Sequence, residues 1–64
     1  MDEETIDLIA RLGTRVAMIM EDHCDKALSL RGMDREELTQ AVKDLGEAVN
    51  QMAALLATAK VLLP

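Results

Sequence analysis

"SLRGMDREEL", Ser29 to Leu38, decides the fold of this 64-residue chain. Gly32 fits the left-handed position just past a helix end, with Arg31 as the last residue before it. In that register Met33 folds back on Leu28. Asp34 then caps a second helix, and Glu37, three residues on, completes a capping box. Met33 ahead of the cap and Leu38 inside the helix form a hydrophobic staple. Stop and start signals stand back to back, so the chain should reverse sharply between two antiparallel helices. The first is expected over about 3–30, capped by Asp2, with Glu3 and Glu4 complementing the helix dipole. The turn covers 31–34 and the second helix about 35–62, fraying before Pro64, so that 1–64 forms a single domain.

Apolar periodicity agrees with two helices. Ile6, Ile9, Gly13, Val16, Met20, His23, Ala27 and Leu30 recur at alternating spacings of three and four, as do Leu38, Val42, Leu45, Val49, Met52, Leu56, Ala59 and Leu63. Both runs are heptad seams. Folding about Gly32 and Met33 sets Ala27 near Leu38, His23 near Val42, Met20 near Leu45, Val16 near Val49, Gly13 near Met52 and Ile9 near Leu56. The seams do not exhaust the apolar surface. Helical phase puts Leu8, Leu12 and Ile19 on one flank of the first helix, and Ala10, Ala17 and Cys24 on the other. The second helix adds Ala41, Ala48, Leu55 and Leu62 on one flank, and Gly46, Ala53 and Ala57 on the other. Apolar arcs this wide exceed what one partner helix covers. The fold class expected is therefore an all-α antiparallel helical hairpin that dimerises into a four-helix bundle, with a tetramer as the other closed form open to it.

Composition points the same way. Half of the residues are apolar and none is aromatic, so the core must be aliphatic. A chain this short buries only about 60% of its unfolded surface, and small domains compensate with disulfides, metals or oligomerisation. One cysteine, Cys24, makes no intrachain disulfide, which leaves association with a second copy and suits a reducing cytoplasm. Twelve acidic against seven basic residues give a net charge of -5 and no basic face, which argues against nucleic acid as the main partner. Met52–Pro64 is the most apolar stretch. It is interrupted by Lys60 and is shorter than the roughly 20 residues a membrane span needs. The acidic "MDEET" start lacks the basic region of a signal peptide.

"EDHCD", Glu21 to Asp25, is the stretch that most suggests chemistry. Ligands on one helix share a metal at spacings of three or four, and those positions around His23 are Ile19, Met20, Lys26 and Ala27. Glu21, Asp22 and Asp25 turn to the polar side, and Cys24 lies about 100° round from His23. A metal or redox bundle using His23 and Cys24 needs ligands from two chains. As structural residues, His23 pins the register from within the seam and Cys24 fills a small-residue row. The acidic clusters Glu3, Glu4, Asp7 and Asp22, Asp25 have magnesium-binding chemistry, but they stand about 22 Å apart along one helix.

Length, turn position and alanine-rich heptads are similar to those of the Rop-like plasmid copy-number regulators. That resemblance implies a dimer of helical hairpins binding paired RNA loops, with Arg11 and Arg15 as the basic spot. The face around them also holds Met18, an apolar residue inside a polar arc. Leu55 and Leu62, near the charge-free part of the second helix, are further candidates for partner contact. No nucleophile–base pair, phosphate loop or ligand set is present, so no enzyme and no cofactor is expected. The leading expectation is a small cytoplasmic regulator of bacterial type that binds itself and another protein. Its seam would use Ile9, Val16, Met20, His23, Leu38, Val42, Leu45, Val49, Met52 and Leu56.

Overall fold

The computed structural model describes every residue from Met1 to Pro64 and is all-helical. Helix α1 runs Glu3–Leu28, a 3₁₀ turn covers Leu30–Gly32, and helix α2 runs Arg35–Leu62. The two helices pack side by side as a flat hairpin of 50 × 16 × 10 Å.

Both helix starts are built by aspartates. The Asp2 carboxylate accepts from the Thr5 amide at 2.7 Å, and Asp34 accepts from the Glu37 amide at 2.9 Å. Each satisfies an amide that the first turn leaves without an intrahelical partner. The capping box is only half made, because Glu37 returns no side-chain bond to the Asp34 amide.

The turn differs from the sequence expectation. No glycine has a positive φ. Gly32 closes the 3₁₀ turn instead, its amide donating to the Ser29 carbonyl at 3.2 Å while the Met33 amide donates to Leu30. The Ser29 hydroxyl caps the end of α1 by donating to the Asp25 carbonyl at 2.6 Å. Reversal falls on Met33 and Asp34, both extended. Leu28 stays exposed, so Met33 does not pack back on it.

Reversing later carries α2 along α1 relative to the expected pairing. Lys26 and Asp44 form an ion pair at 3.1 Å, and Ile19 walls one cleft together with Gln51 and Leu55. His23, expected beside Val42, lies near Asp44. The register is displaced by about one helical turn.

The interhelical contact uses a different phase from a single heptad seam. On α1 the half-buried residues are Thr5, Ile9, Leu12, Val16, Ile19, His23 and Lys26; on α2 they are Asp44, Leu45, Met52, Leu55, Ala59 and Leu62, with Ala41 and Ala48 fully buried at 3% exposure. Alanine lets the backbones approach closely. These two alanines are the only buried residues of the chain.

Such a hairpin leaves much of its surface uncovered. Its accessible area is 5256 Å². A compact monomer of the same 7.0 kDa mass would expose about 4,000 Å². Its radius of gyration, 15.1 Å, exceeds the roughly 11 Å of a globular chain of this length.

Candidate interaction surfaces

Helical phase sorts the exposed side chains onto two broad faces. Relative to the buried contact line, Ile6, Gly13, Met20 and Ala27 lie one step round α1. Leu38, Val42, Val49, Leu56 and Leu63 lie one step round α2 in the same sense. Because the helices are antiparallel, both steps lead to the same side of the hairpin. Seven large apolar residues of that side are exposed: Ile6, Met20, Leu38, Val42, Val49, Leu56 and Leu63. One charged residue, Lys60, exposed and one step round from half-buried Ala59, also lies on that side. Half-buried Leu45 and Met52 line its centre. Next to it on α1, Ala10, Ala17 and Cys24 are exposed as well.

The opposite side is polar. Near the turn, Lys26, Met33, Glu37, Gln40, Ala41 and Asp44 surround a shallow recess. Asp44 accepts from the Gln40 side-chain amide at 2.8 Å and from the Lys26 ammonium at 3.1 Å. These two bonds, Gln40 first, hold its carboxyl below the ordinary range, and the positive charge of Lys26 adds to the effect. Farther along, Arg15, Ile19, Gln51, Ala54, Leu55 and Thr58 line an open cleft. Met18 and Val61 stand exposed behind it. The apolar interruptions of the two polar stripes thus belong to one side of the molecule.

The individual candidates distribute as follows. Ile9, Val16, His23, Leu45 and Met52 are half-buried, whereas Met20, Leu38, Val42, Val49 and Leu56 are exposed. Leu55 and Leu62 are half-buried between the helices, so a charge there would strike the hairpin itself. Arg11 is ion-paired with Asp7 at 3.1 Å on an exposed helix surface. His23 Nδ1 lies 2.8 Å from the Ile19 carbonyl. A carbonyl only accepts, so Nδ1 carries the hydrogen and Nε2 is the free nitrogen. Cys24 is exposed, and no three metal-capable side chains gather anywhere. No helix is long and apolar enough to cross a membrane.

Sequence reasoning missed the polar bridge of Lys26, Gln40 and Asp44. Its signal was the i, i+4 spacing of Gln40 and Asp44. Comparison with protein-family models, curated proteins and solved structures finds no match. The geometry of the two faces is therefore what a functional reading rests on.

Proposed function

We propose that this chain is a small protein–protein interaction module that works as a homodimer, its apolar face closing a four-helix bundle and its polar face receiving another protein. One observation carries the reading: a strip of exposed Ile, Met, Leu and Val, with Lys60 as its one charged residue, runs along both helices on one side. Exposed apolar patches of this extent mark interaction sites. The surface in excess of a compact monomer is about 1,200 Å² per chain, and interfaces that bury about 1,200–2,000 Å² in total are stable and specific. A second copy offers the same apolar surface and brings no carboxylate onto it.

A binding role is also supported by what the polar groups do. Asp7 is committed to Arg11, Asp44 to Gln40 and Lys26, and His23 Nδ1 to Ile19. The partner side combines Arg15, Gln51 and Thr58 with the exposed apolar tips of Met18 and Val61, a mixture typical of a non-obligate interface. The test is mass in solution at micromolar concentration. A dimer is expected, with Val49→Glu converting it to a monomer. A parent chain that sediments as a stable monomer overturns the reading.

A further inference from the structure

We propose that the two copies sit with their turns at opposite ends, related by a two-fold axis that crosses the helices at right angles midway along the hairpin. The inference rests on the self-association proposed above and specifies the arrangement of that same face.

The hairpin's own register supplies the starting point. The Lys26 ammonium reaches the Asp44 carboxylate at 3.1 Å, which sets the two residues at about one level. Counting along the two helices in opposite directions from that pair, Ala27 comes level with Val42, Met20 with Val49, Gly13 with Leu56 and Ile6 with Leu63, each to within about a turn. These heptad positions form a ladder of four rungs, one per heptad, whose midpoint falls between the Gly13 and Met20 rungs, while Leu38, Leu45, Met52 and Lys60 lie between or beyond them on the same face.

Only two kinds of two-fold axis bring this face against itself. An axis along the helices puts both turns at the same end and stacks every rung on its own copy. An axis across the helices inverts the ladder. The Ile6/Leu63 rung then meets Ala27/Val42 of the second copy, and the Gly13/Leu56 rung meets Met20/Val49.

Side-chain size separates the two. With turns together, successive four-residue layers hold about 16, 8, 14 and 8 side-chain non-hydrogen atoms, an alternation of crowded and hollow layers. With turns opposed, every layer holds about 11 or 12, since Gly13 faces Met20 and Ile6 faces Ala27 across the interface. A uniform fill is what close packing of parallel-sided helices demands. Nothing stands within 4 Å of where a Cβ of Gly13 would be, so the hairpin alone leaves that notch open.

Polar groups favour the same choice. Asp2, Glu3 and Glu4 gather at the start of α1. Turns together would set both clusters at one end of the bundle, whereas turns opposed separate them by about the hairpin's length. The same inversion keeps the two half-buried His23 rings about 20 Å apart along the axis instead of in one layer.

Gly32 gives a direct readout. It lies in the turn, is exposed, has no positive φ, and has open space where a Cβ would project. Gly32→Cys in a Cys24→Ala background, carrying a nitroxide label, reports the turn-to-turn distance by pulsed dipolar spectroscopy, with mass measured on the same sample by sedimentation. A dimer with one distance close to the 50 Å length of the hairpin is the expected result. A dimer with a distance of about 20 Å or less, the spacing of neighbouring or diagonal helices, overturns the arrangement and leaves self-association standing. A labelled and unlabelled chain that are both monomeric overturn the self-association on which the arrangement rests.

Discussion

Leu56 measures how much the open face contributes to association. It is 54% exposed in the hairpin and sits at the middle of the apolar strip. Burying a leucine completely contributes about 1.5–3 kcal/mol, so covering the exposed half contributes about 1 kcal/mol per chain. Leu56→Ala removes most of that in both copies. The dimer should then lose about 2 kcal/mol, which is a dissociation constant about 30-fold higher. Val61 is the control, since it is more exposed, at 84%, and lies on the other side. Val61→Ala should leave dissociation unchanged. Sedimentation equilibrium across a dilution series reads both constants, and circular dichroism at high concentration checks that each variant is helical. Leucine and alanine have similar helix propensity, so a helicity loss is not built into the substitution. Equal dissociation constants for Leu56→Ala and its parent, or an equal weakening by Val61→Ala, would refute the assignment of the face.

Three further outcomes follow from particular residues. Val49→Glu places a carboxylate from each chain inside the closed face, and dimerisation should weaken by more than about 100-fold in the same sedimentation assay. Thr5, through its hydroxyl and then its amide, holds the Asp2 carboxyl below its ordinary range; the Glu37 amide does so for Asp34, and Gln40 then Lys26 for Asp44. A depressed folded value means stability present in full above the unfolded value and lost as pH falls through the folded one, so urea midpoints should hold steady down to about pH 5 and drop below about pH 4. A midpoint unchanged down to about pH 2 would deny these contacts a role in stability. Gly32→Ala meets neither a positive φ nor a steric neighbour, and should raise stability by about 0.4–1 kcal/mol through the unfolded chain. A lower urea midpoint for that variant would restore a left-handed glycine to the turn.

Helix ends were legible in the sequence because capping is local. Asp2 and Asp34 act within three residues of themselves, and both caps form where the sequence puts them. Gly32 was less legible, since a glycine permits a left-handed cap without requiring one. Ser29 supplied another solution by holding the Asp25 carbonyl and opening a 3₁₀ turn. The contact phase was the hardest part to read. A heptad pattern shows that an apolar arc exists, but an arc wider than one interface can be divided in more than one way. The seam of Val42, Val49 and Leu56 and the row of Ala41, Ala48 and Leu55 differ by a single step round α2. Which one faces α1 depends on how closely two backbones approach, a tertiary quantity absent from spacing. The polar bridge was hidden for the same reason. Lys26 falls outside the heptad seam of the first helix, and nothing in its spacing pairs it with Asp44 until α2 comes alongside.

The division of side chains between the two contacts bears on what holds the molecule together. Contact within the chain is closed by Ala41 and Ala48, whose methyl groups contribute only about 0.8 kcal/mol each on burial. The larger side chains, Met20, Val42, Val49 and Leu56, are exposed on the single hairpin by more than half of their surface. Ile9, Leu12, Val16, Ile19, Leu55 and Leu62 are half-buried in the same contact, so apolar bulk lies both between the helices and outside them. The exposed large residues line the face that the proposed second copy would close. In the proposed dimer the hairpin would fix geometry and register, through the caps and the Lys26–Asp44 bridge, while association would add the apolar burial that the single hairpin lacks. Gly13 belongs to the same logic, because a helix interior loses stability by carrying glycine. The loss has a compensating use only if something from outside the chain fills the notch, and Met20 of a second copy has the size and the level to do so.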